Sequence, residues 1–372
     1  MRLGLAVPTL GFQGGLERHA HDLARALVAR GHEVRLLHGE RIGRDAQAFA
    51  SAFTSKALLG SKHALSELEA VWVQKAAAPE ELERFGDLPL VLAVHDHDLT
   101  CVRTSRMLLV SREACDRPPG VPCVLHGCVV VRDRAGRLPL TLANPFSLRA
   151  RLAALSRRAR LVACSRYLAR TLVEAGAPAE RVSFIHPVPP AEELALVPRP
   201  LAQRVLVSAQ LVHGKGVDLA IEAMRQLPQA TLEIAGDGPS RGALEQQARR
   251  VAPGRVTFLG YVPPAQVTSL YDRASVALVP SRWPEPFGLI GLEAMRRARP
   301  VAAALHGGIV EWLPRGGGGR GFTPGDTRAM AQAVQQLLDD AAAGEAALAF
   351  VQENFQQARS VEAALELLRK AA

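Results

Sequence analysis

Two patterns of hydrophobic and polar positions alternate along this chain. Short runs of β-branched and other apolar residues predict buried strands, and Ala-, Leu- and Arg-rich stretches with apolar residues at helical spacing predict helices. The first group is a strand at 3–8, a glycine-rich turn at 11–15, a helix at 16–30 and a strand at 33–38. This alternation indicates parallel sheets covered by helices.

The same pattern continues to the end of the chain. In the first half it predicts further strands at 89–95, 160–164 and 181–186. In the second half it predicts strands at 204–209, 230–235, 255–259, 275–280 and 300–304, and helices at 216–227, 240–250, 264–273 and 288–297. An amphipathic helix at 359–371 ends the pattern.

A proline-rich segment separates the two halves. Residues 187–200 contain five prolines, which interrupt both helices and strand ladders. We therefore predict an α/β protein with two Rossmann-like, doubly wound domains, at 1–186 and 201–355, joined by a linker at 187–200. Ligands of such folds bind beyond the carboxyl ends of the strands, so we expect a cleft between the domains.

Composition and charge narrow the function classes. The chain has 372 residues, of which 48% are hydrophobic and 22% charged, as in ordinary globular proteins. No apolar run approaches the ~18–20 residues that span a bilayer, and the N-terminus is typical of a strand rather than a signal peptide. We expect a cytoplasmic protein. The net charge of +9 comes almost entirely from arginine, and without a recognisable nucleic-acid module we expect no nucleic-acid partner.

The segment 281–293 carries the most specific chemistry. A strand is followed by a loop that contains Glu285, a Phe-Gly turn, and a helix that begins near Gly288. The N–H groups at a helix start can cradle a phosphate. Glu293, about one and a half turns into the helix, can accept hydrogen bonds from a vicinal diol such as ribose, and Glu285 is free to reach a second polyol. The alternative is two surface glutamates, one capping the helix and the other paired with Arg296 or Arg297.

The string from Glu285 to Met295 resembles the E-x7-E signature of the retaining nucleotide-sugar glycosyltransferases of family 4, which have the two-Rossmann GT-B architecture. Matching segments occur in order along most of the chain, and the resemblance is weakest across 40–88 and 101–145. They are Gly14-Gly15-Leu16-Glu17, Gly31-His32-Glu33-Val34, Gly236-Asp237-Gly238-Pro239, Phe258 to Val262, Gly307-Gly308-Ile309-Val310-Glu311, Gly321-Phe322 and Gly325-Asp326.

The resemblance implies transfer of a sugar from a nucleotide-diphosphate sugar, with retention and without a metal. The donor would lie on the C-terminal domain and the acceptor on the N-terminal domain, to which the terminal helix at 356–372 would return. Glu293 would hold the ribose and Glu285 the donor sugar. The positions matched to the donor site are Gly14, Gly15, Gln210, Lys215, Gly236, Val262, Glu285, Phe287, Gly288, Leu289, Ile290 and Glu293.

One position departs from the family pattern. Where the family commonly has Arg before its conserved Lys, this chain has Gln210 before Lys215. Glutamine can hydrogen-bond a phosphate but brings no charge, and loss of a charge-assisted contact costs about 1–3 kcal/mol. Arg282 and His213 are the candidates to replace that charge. Otherwise transfer would be weak.

A histidine in the first half resembles a family residue near the reacting sugar. His95 ends the strand at 89–95, and a neutral imidazole there can hydrogen-bond a sugar hydroxyl. With Glu285 and Lys215 it completes the predicted catalytic set. Asp96 and His97 follow as further candidates for contacts, whereas we expect Ser165 to cap the helix at 166–175.

Four of the five cysteines fall close together, at Cys101, Cys115, Cys123 and Cys128, with His126 between the last two. An odd cysteine count argues against a disulfide framework. Four thiolates, or three and His126, could close a tetrahedral zinc site. Buried free thiols and redox chemistry are the alternatives.

Residues 148–160 predict a basic amphipathic helix in which Leu148, Leu152 and Leu155 share one face. It would either pack on its domain or dock on an anionic membrane surface, which would suit a lipid-linked acceptor.

The sequence leaves the substrates open. UDP- and GDP-sugars are the expected donors, and the acceptor would be a glycan, a lipid-linked molecule or a small molecule, most commonly in polysaccharide biosynthesis. The alternatives to transfer are a nucleotide-sugar epimerase or hydrolase on the same fold, and a binding protein in which Gln210 marks weakened catalysis.

Overall fold

The computed structural model describes residues 1–61, 63–131, 140–187, 194–314 and 317–371. The chain forms two compact units. Unit 1 comprises Met1–Val188 and Gln357–Ala372, and unit 2 comprises Pro189–Gln356. The predicted linker at 187–200 lies partly outside the described residues.

Unit 1 is built on a seven-stranded sheet in the order β3-β2-β1-β4-β5-β8-β9, with every pair parallel. A two-stranded antiparallel ribbon, β6 and β7, lies apart from it. The strands are β1 Arg2–Leu10, β2 Glu33–Ile42, β3 Ser55–Leu58, β4 Ala70–Val73, β5 Leu90–Val94, β6 Val130–Val131, β7 Thr141–Leu142, β8 Arg160–Ala163 and β9 Val182–Phe184.

The helices of unit 1 are α1 Gly15–Val28, α2 Ala46–Ala50, α3 Glu80–Glu83, α4 Val121–Leu125, α5 Pro145–Arg158, α6 Arg166–Glu174 and the C-terminal α14 Gln357–Ala371. The apolar face of α14 joins α1 and the sheet in one core through Val361, Ala364, Leu365 and Leu368. The period of apolar residues in this last helix is thus explained by burial against unit 1.

Unit 2 contains a six-stranded parallel sheet in the order β12-β11-β10-β13-β14-β15. Its strands are β10 Arg204–Ser208, β11 Thr231–Ala235, β12 Val256–Gly260, β13 Val276–Val279, β14 Val301–Ala304 and β15 Gly319–Phe322. Its helices are α7 Val217–Ala223, α8 Arg241–Val251, α9 Pro264–Arg273, α10 Leu289–Met295, α11 Ile309–Trp312, α12 Thr327–Asp339 and α13 Ala343–Asn354.

The predicted α/β class with two parallel-sheet domains is confirmed. The strand orders are those of doubly wound folds, in which the order reverses beside the first strand of each sheet. Among the described strands, those not predicted are β3, β4, β6 and β7 in unit 1 and β15 in unit 2. Each of them has four residues or fewer.

The predicted basic helix at 148–160 is wrong at its end, because α5 stops at Arg158 and Arg160 begins β8. Its leucines, Leu148, Leu152 and Leu155, are buried in unit 1. The apolar face therefore packs on the protein and is not available to lipid. Among the described residues, no helix combines the length and apolar character needed to cross a bilayer.

Candidate active site

The carboxyl ends of the strands in unit 2 bring the predicted donor residues to one edge of the sheet. Gln210 follows β10, Gly236 follows β11, Val262 follows β12 and Glu285 lies in the loop after β13. Because these strands are parallel neighbours, the loops that follow them emerge at the same edge.

Glu285 is the centre of this edge. Its Oε1 accepts hydrogen bonds from Lys215 Nζ at 2.7 Å, Ser281 Oγ at 2.5 Å and Trp283 Nε1 at 2.9 Å. Burial alone would raise the pKa of the Glu285 carboxyl, but Lys215 and the two neutral donors together hold it below its ordinary value. Glu285 is therefore a buried, fixed carboxylate, and the expectation that it extends freely from a loop is wrong.

Lys215 is held from two sides. Besides its ion pair with Glu285, its ammonium lies 4.9 Å from the centroid of the Trp283 ring, a favourable cation–π distance. The side chain keeps 20% of its surface exposed. An ammonium group has three N–H donors, so the contact with Glu285 leaves this cation able to bind a further acceptor.

Close backbone packing fixes the loop that carries Glu285. Gly308 N donates to Glu285 O at 2.7 Å, and a Cβ on Gly307 would lie 2.4 Å from the same oxygen. His306 Nε2 contacts Ser281 O at 2.9 Å. The glycines of the Gly307-Gly308 motif are thus required because the loop backbone lies directly against them.

The two residues after Pro286 mark the turn into α10. Phe287 is buried, and its carbonyl accepts from Trp312 Nε1 at 2.5 Å, so its side chain is not presented to a ligand. Gly288 has a φ of +86°, which favours glycine. The backbones of Leu289 and Ile290 form the first turn of α10, and both residues are only half-buried.

Glu293 lies on α10 and accepts a hydrogen bond from Tyr271 Oη at 2.7 Å. Arg297, one of the two arginines considered as an alternative partner for these glutamates, forms a bidentate pair with Asp272. Tyr271 comes from α9, so a contact between two helices orients the Glu293 carboxylate.

Arg282, one of the two cations proposed to replace the missing arginine, forms an ion pair within unit 2. Arg282 binds both carboxylate oxygens of Asp218 at 2.5 Å, and Gln210 is exposed. Gly236, at a φ of +132°, would bring a Cβ within 1.9 Å of Ala209 O. Packing within unit 2 alone therefore requires that glycine.

Unit 1 offers a second group of polar residues at the carboxyl edge of its sheet. Gly14 follows β1, Gln74 follows β4 and His95 follows β5, and these three strands are neighbours. Gly14 N donates to Glu17 Oε2 at 3.0 Å, which closes the turn into α1. Apart from its two chain neighbours, no described residue would lie within 4 Å of a Cβ on Gly14, so no packing contact in the described part of the chain explains this glycine. Gly15, the first residue of α1, is exposed beside it.

His95 is in contact with two residues that the sequence analysis missed. His95 Nε2 lies 2.7 Å from Gln74 Oε1, and Gln74 Nε2 lies 3.2 Å from His19 Nδ1. The two imidazole centroids are 4.9 Å apart. Burial lowers the pKa of both His19 and His95, and in His95 the nearby His19 and Lys75 add to this direction.

The same edge carries an ion cluster. Lys75 Nζ lies 2.6 Å from Asp96 Oδ2 and 2.7 Å from Asp98 Oδ2, and these three residues line one groove with His95 and Gln74. His97, in contrast, is buried beside Thr100. Asp96 is thus grouped with His95, whereas His97 belongs to the interior. Ser165 Oγ caps α6 by accepting from Leu168 N at 3.0 Å.

The four clustered cysteines and His126 line one pocket of unit 1. All four cysteines are free thiols. Within the described part of the chain, however, no group of three or more His, Cys, Asp or Glu residues is placed to hold a metal ion. Burial raises the pKa of Cys101 and Cys123, which favours the neutral thiol over the thiolate that binds zinc. The structure therefore gives the zinc hypothesis no support.

Comparison with known families decides the identity of the chain. Residues 13–188 match the profile described as Glycosyltransferase Family 4, and residues 202–340 match the profile described as Glycosyl transferases group 1. Together the two matches cover most of both units. The chain therefore belongs to the glycosyltransferases that these two models describe, family 4 and group 1.

This chain has relatives that match part of its sequence. It is 37% identical over 153 residues to a glycogen synthase of Mycobacterium tuberculosis, covering 40% of this chain and 37% of that protein. It is 34% identical over 154 residues to an alpha-D-kanosaminyltransferase of Streptomyces kanamyceticus, covering 40% and 39%. The matched part is thus little more than a third of each relative.

Solved structures show the GT-B fold. HepE of Anabaena in complex with UDP-glucose has a TM-score of 0.76 at 20% identity, covering all of both chains. WaaG, described as a glycosyltransferase involved in lipopolysaccharide biosynthesis, has a TM-score of 0.69 at 16% identity, covering 98% of this chain and 99% of that chain.

The residues that sequence reasoning missed are those that hold the predicted ones. They are Ser281, Trp283 and Tyr271 in unit 2, and Gln74 and His19 in unit 1. One signal was present for Gln74, a polar residue directly after the apolar run of β4. Ser281 and Trp283 lie in the same segment as Glu285, four and two residues before it, whereas Tyr271 and His19 reach their partners only through the fold.

Proposed function

We propose that this chain transfers a glycosyl group from a nucleotide-diphosphate sugar to an acceptor, with retention at the anomeric carbon and without a metal ion. The observation that carries the proposal is the Glu285 cluster, a buried carboxylate with a lysine partner in a chain of this family. Unit 2 would hold the donor, and unit 1 would supply His95 near the transferred sugar.

Lys215 would stabilise the leaving diphosphate. The ion pair with Glu285 and the contact with the Trp283 ring hold its ammonium in one place. A cation that is positioned before the reaction stabilises developing negative charge without reorganisation. This gives a metal-free route to the same charge stabilisation. Gln210 would add a neutral hydrogen bond, so we expect a lower rate than an arginine at this position would permit.

Glu285 would act through its second oxygen. The three side-chain donors to Glu285 all contact Oε1, and a carboxylate has about four lone-pair sites on its two oxygens. Oε2 could therefore accept from a donor-sugar hydroxyl. Glu293, oriented by Tyr271, would accept from the ribose diol, and the amides of Gly288, Leu289 and Ile290 would contact the sugar and diphosphate. Gly236 and Val262 would present their backbone to the base, and Gly14 and Gly15 would permit close approach of the diphosphate.

The structural similarity to HepE supports a choice of donor for this proposal. The HepE structures contain UDP or UDP-glucose, which supports a UDP-sugar as the first donor to test, with a GDP-sugar second. The acceptor would be a glycan, a lipid-linked molecule or a small molecule. The five free thiols are in keeping with a cytoplasmic location.

The first experiment is a melting-temperature series with UDP-, GDP-, ADP- and dTDP-sugars, followed by assay of nucleotide release. A donor at ~100 times its dissociation constant should stabilise the protein by about 2.7 kcal/mol. Glu285→Gln should lower kcat by at least ~100-fold, as expected when a preorganised charge contact is lost, whereas the exposed Glu353→Gln on α13 should retain wild-type kcat.

The outcomes separate the alternatives. Nucleotide release that requires an acceptor supports transfer, and acceptor-independent release indicates a hydrolase. Donor binding without turnover against any acceptor class, with Gln210→Arg restoring turnover, would indicate weakened catalysis. No shift with any nucleotide sugar would contradict the donor site.

A further inference from the structure

Gln74 is a buried side-chain amide in contact with two histidine rings. It lies one residue beyond β4 with 1% of its surface exposed, and its backbone N–H donates to Ala6 O at 2.9 Å. Its side-chain amide lies between the His95 and His19 rings at 2.7 Å and 3.2 Å. Both ends of one buried amide are therefore used by two titratable rings from different elements.

We propose that Gln74 is a positioning residue that sets the protonated nitrogen of His95. The amide oxygen can only accept, so it selects the His95 form that carries its proton on Nε2. The amide nitrogen can only donate, so it selects the His19 form whose Nδ1 is unprotonated. The ring of His95 then presents Nδ1 as its acceptor.

The surroundings keep this arrangement neutral. His19 and Lys75 face His95, and both oppose a positive charge on its ring. Asp22 favours charge on His19, but burial outweighs it. Only the oxygen of the Gln74 amide can accept a hydrogen bond, so the amide can accept from only one of the two rings. The two histidines therefore cannot both be imidazolium ions while Gln74 bridges them.

The consequence for the reaction rests on the proposed function. His95 and Gln74 line the groove that also contains Lys75 and Asp96. Because His95 Nε2 donates its proton in the hydrogen bond to Gln74, His95 Nδ1 accepts a hydrogen bond from a substrate hydroxyl. A His95 ring protonated on Nδ1 would instead meet that hydroxyl as a donor. Gln74 thus determines whether His95 accepts or donates in the hydrogen bond to the substrate, although Gln74 itself does not contact the substrate.

Histidine 15N chemical shifts test this proposal independently of activity. In protein labelled at its histidines, long-range 1H–15N spectra distinguish a protonated ring nitrogen from a bare one. His19→Gln and His95→Gln assign the two rings. At pH 7.5 we expect a bare Nδ1 and a protonated Nε2 in both rings of the wild-type protein. A protonated Nδ1 on His95 would overturn the proposal.

Two variants separate positioning from packing. Gln74→Leu should leave His95 as a mixture of its two neutral forms, and kcat should fall about 10- to 100-fold, as is common when a supporting hydrogen bond is removed. Gln74→Glu keeps an acceptor for His95 Nε2, but its charge should raise the pKa of His95 and move the acidic limb of the kcat profile to higher pH. Gln47→Glu on α2, which is exposed, is the charge control and should change neither.

The outcomes also distinguish this proposal from the proposed function. An inactive wild-type protein with the expected 15N pattern would contradict glycosyl transfer but leave the role of Gln74 intact. An active protein in which Gln74→Leu leaves the His95 pattern unchanged would overturn the role of Gln74 alone. If Gln74→Leu does not fold, the nearly isosteric Gln74→Glu carries the test.

Discussion

The Glu285 site of unit 2 and the His95 site of unit 1 occupy equivalent places, because both follow the carboxyl ends of central parallel strands. They are organised differently. In unit 2 a buried carboxylate is held by a cation and two neutral donors on one oxygen. In unit 1 a neutral amide bridges two neutral rings.

The difference concerns what each unit must stabilise. A fixed ion pair preorganises charge for a charged ligand, and unit 2 is where the donor diphosphate would bind. A neutral bridge controls which ring nitrogen carries a proton, which suits contact with uncharged hydroxyl groups. The two sites should therefore fail in different ways when they are perturbed.

The largest effect should come from removing the cation of unit 2. Lys215→Met leaves Glu285 buried without its charge partner, and breaking such a pair costs about 3–5 kcal/mol. The free energy of unfolding at pH 7 should fall by that amount in urea titrations followed by tryptophan fluorescence. Trp283 and Trp312 report on unit 2, and Trp72 reports on unit 1.

Two variants control this prediction. Lys215→Met with Glu285→Gln should recover much of the lost stability, because no buried charge remains. Arg225→Met removes an exposed partner of Glu222 and should cost less than ~0.5 kcal/mol. An equal loss in all three would contradict a special role for the buried pair.

The second effect separates the units by pH. The folded-state pKa values of His19 and His95 lie below the ordinary value of 6.5. As pH falls below 6.5 the unfolded chain takes up protons first, and stability should fall by up to ~1.4 kcal/mol per pH unit for each ring. The folded-state pKa of Glu285 lies below 4.5, so its contribution is present above pH 4.5 and is lost as pH falls through that lower value.

Unfolding titrations between pH 7.5 and 3 check these two windows. His19→Gln should weaken the decline below pH 6.5, and Glu285→Gln should alter only the decline below pH 4.5. His306 in unit 2 also has a lowered pKa, through burial, so His306→Gln is needed to remove its share of the upper window. A His19→Gln curve parallel to the wild-type curve would contradict a neutral His19.

The smallest effect on stability should occur at Gly14. Among the described residues, only its chain neighbours come within 4 Å of a Cβ built there, so Gly14→Ala should change the free energy of unfolding by less than ~0.5 kcal/mol. If the glycine serves close approach of the diphosphate, the same variant should raise the dissociation constant of the nucleotide sugar. Calorimetric unfolding and donor titration measure the two quantities.

Gly236→Ala is the matched control in unit 2. Its Cβ would lie 1.9 Å from Ala209 O at a positive φ, so we expect about 3 kcal/mol of destabilisation. Loss of stability in Gly14→Ala, or its absence in Gly236→Ala, would contradict the distinction between a glycine left open for a ligand and one required by packing.

Much of the fold could be predicted from the sequence because long buried strands and amphipathic helices repeat with a clear period. The strand β3 was missed because it is a largely exposed edge strand that begins with the polar residues Ser55 and Lys56. Gln74 was missed together with β4, the strand that it follows. The end of α5 was misplaced because Arg160 continues the basic composition of the helix although it begins a strand.

The sequence by itself determined the α/β class, the family, and the identities of Glu285, Glu293, Lys215 and His95 as candidate residues, since local patterns and short motifs carry that information. Only the tertiary structure decided that Glu285 is buried under three donors, that Arg282 is bound to Asp218, and that Gln74 bridges two histidines. The contacts of Gln74 with the two histidines, of Arg282 with Asp218 and of Lys215 with Glu285 join residues 21 to 70 positions apart. The order of strands in a sheet, which no local pattern records, brings these residues together.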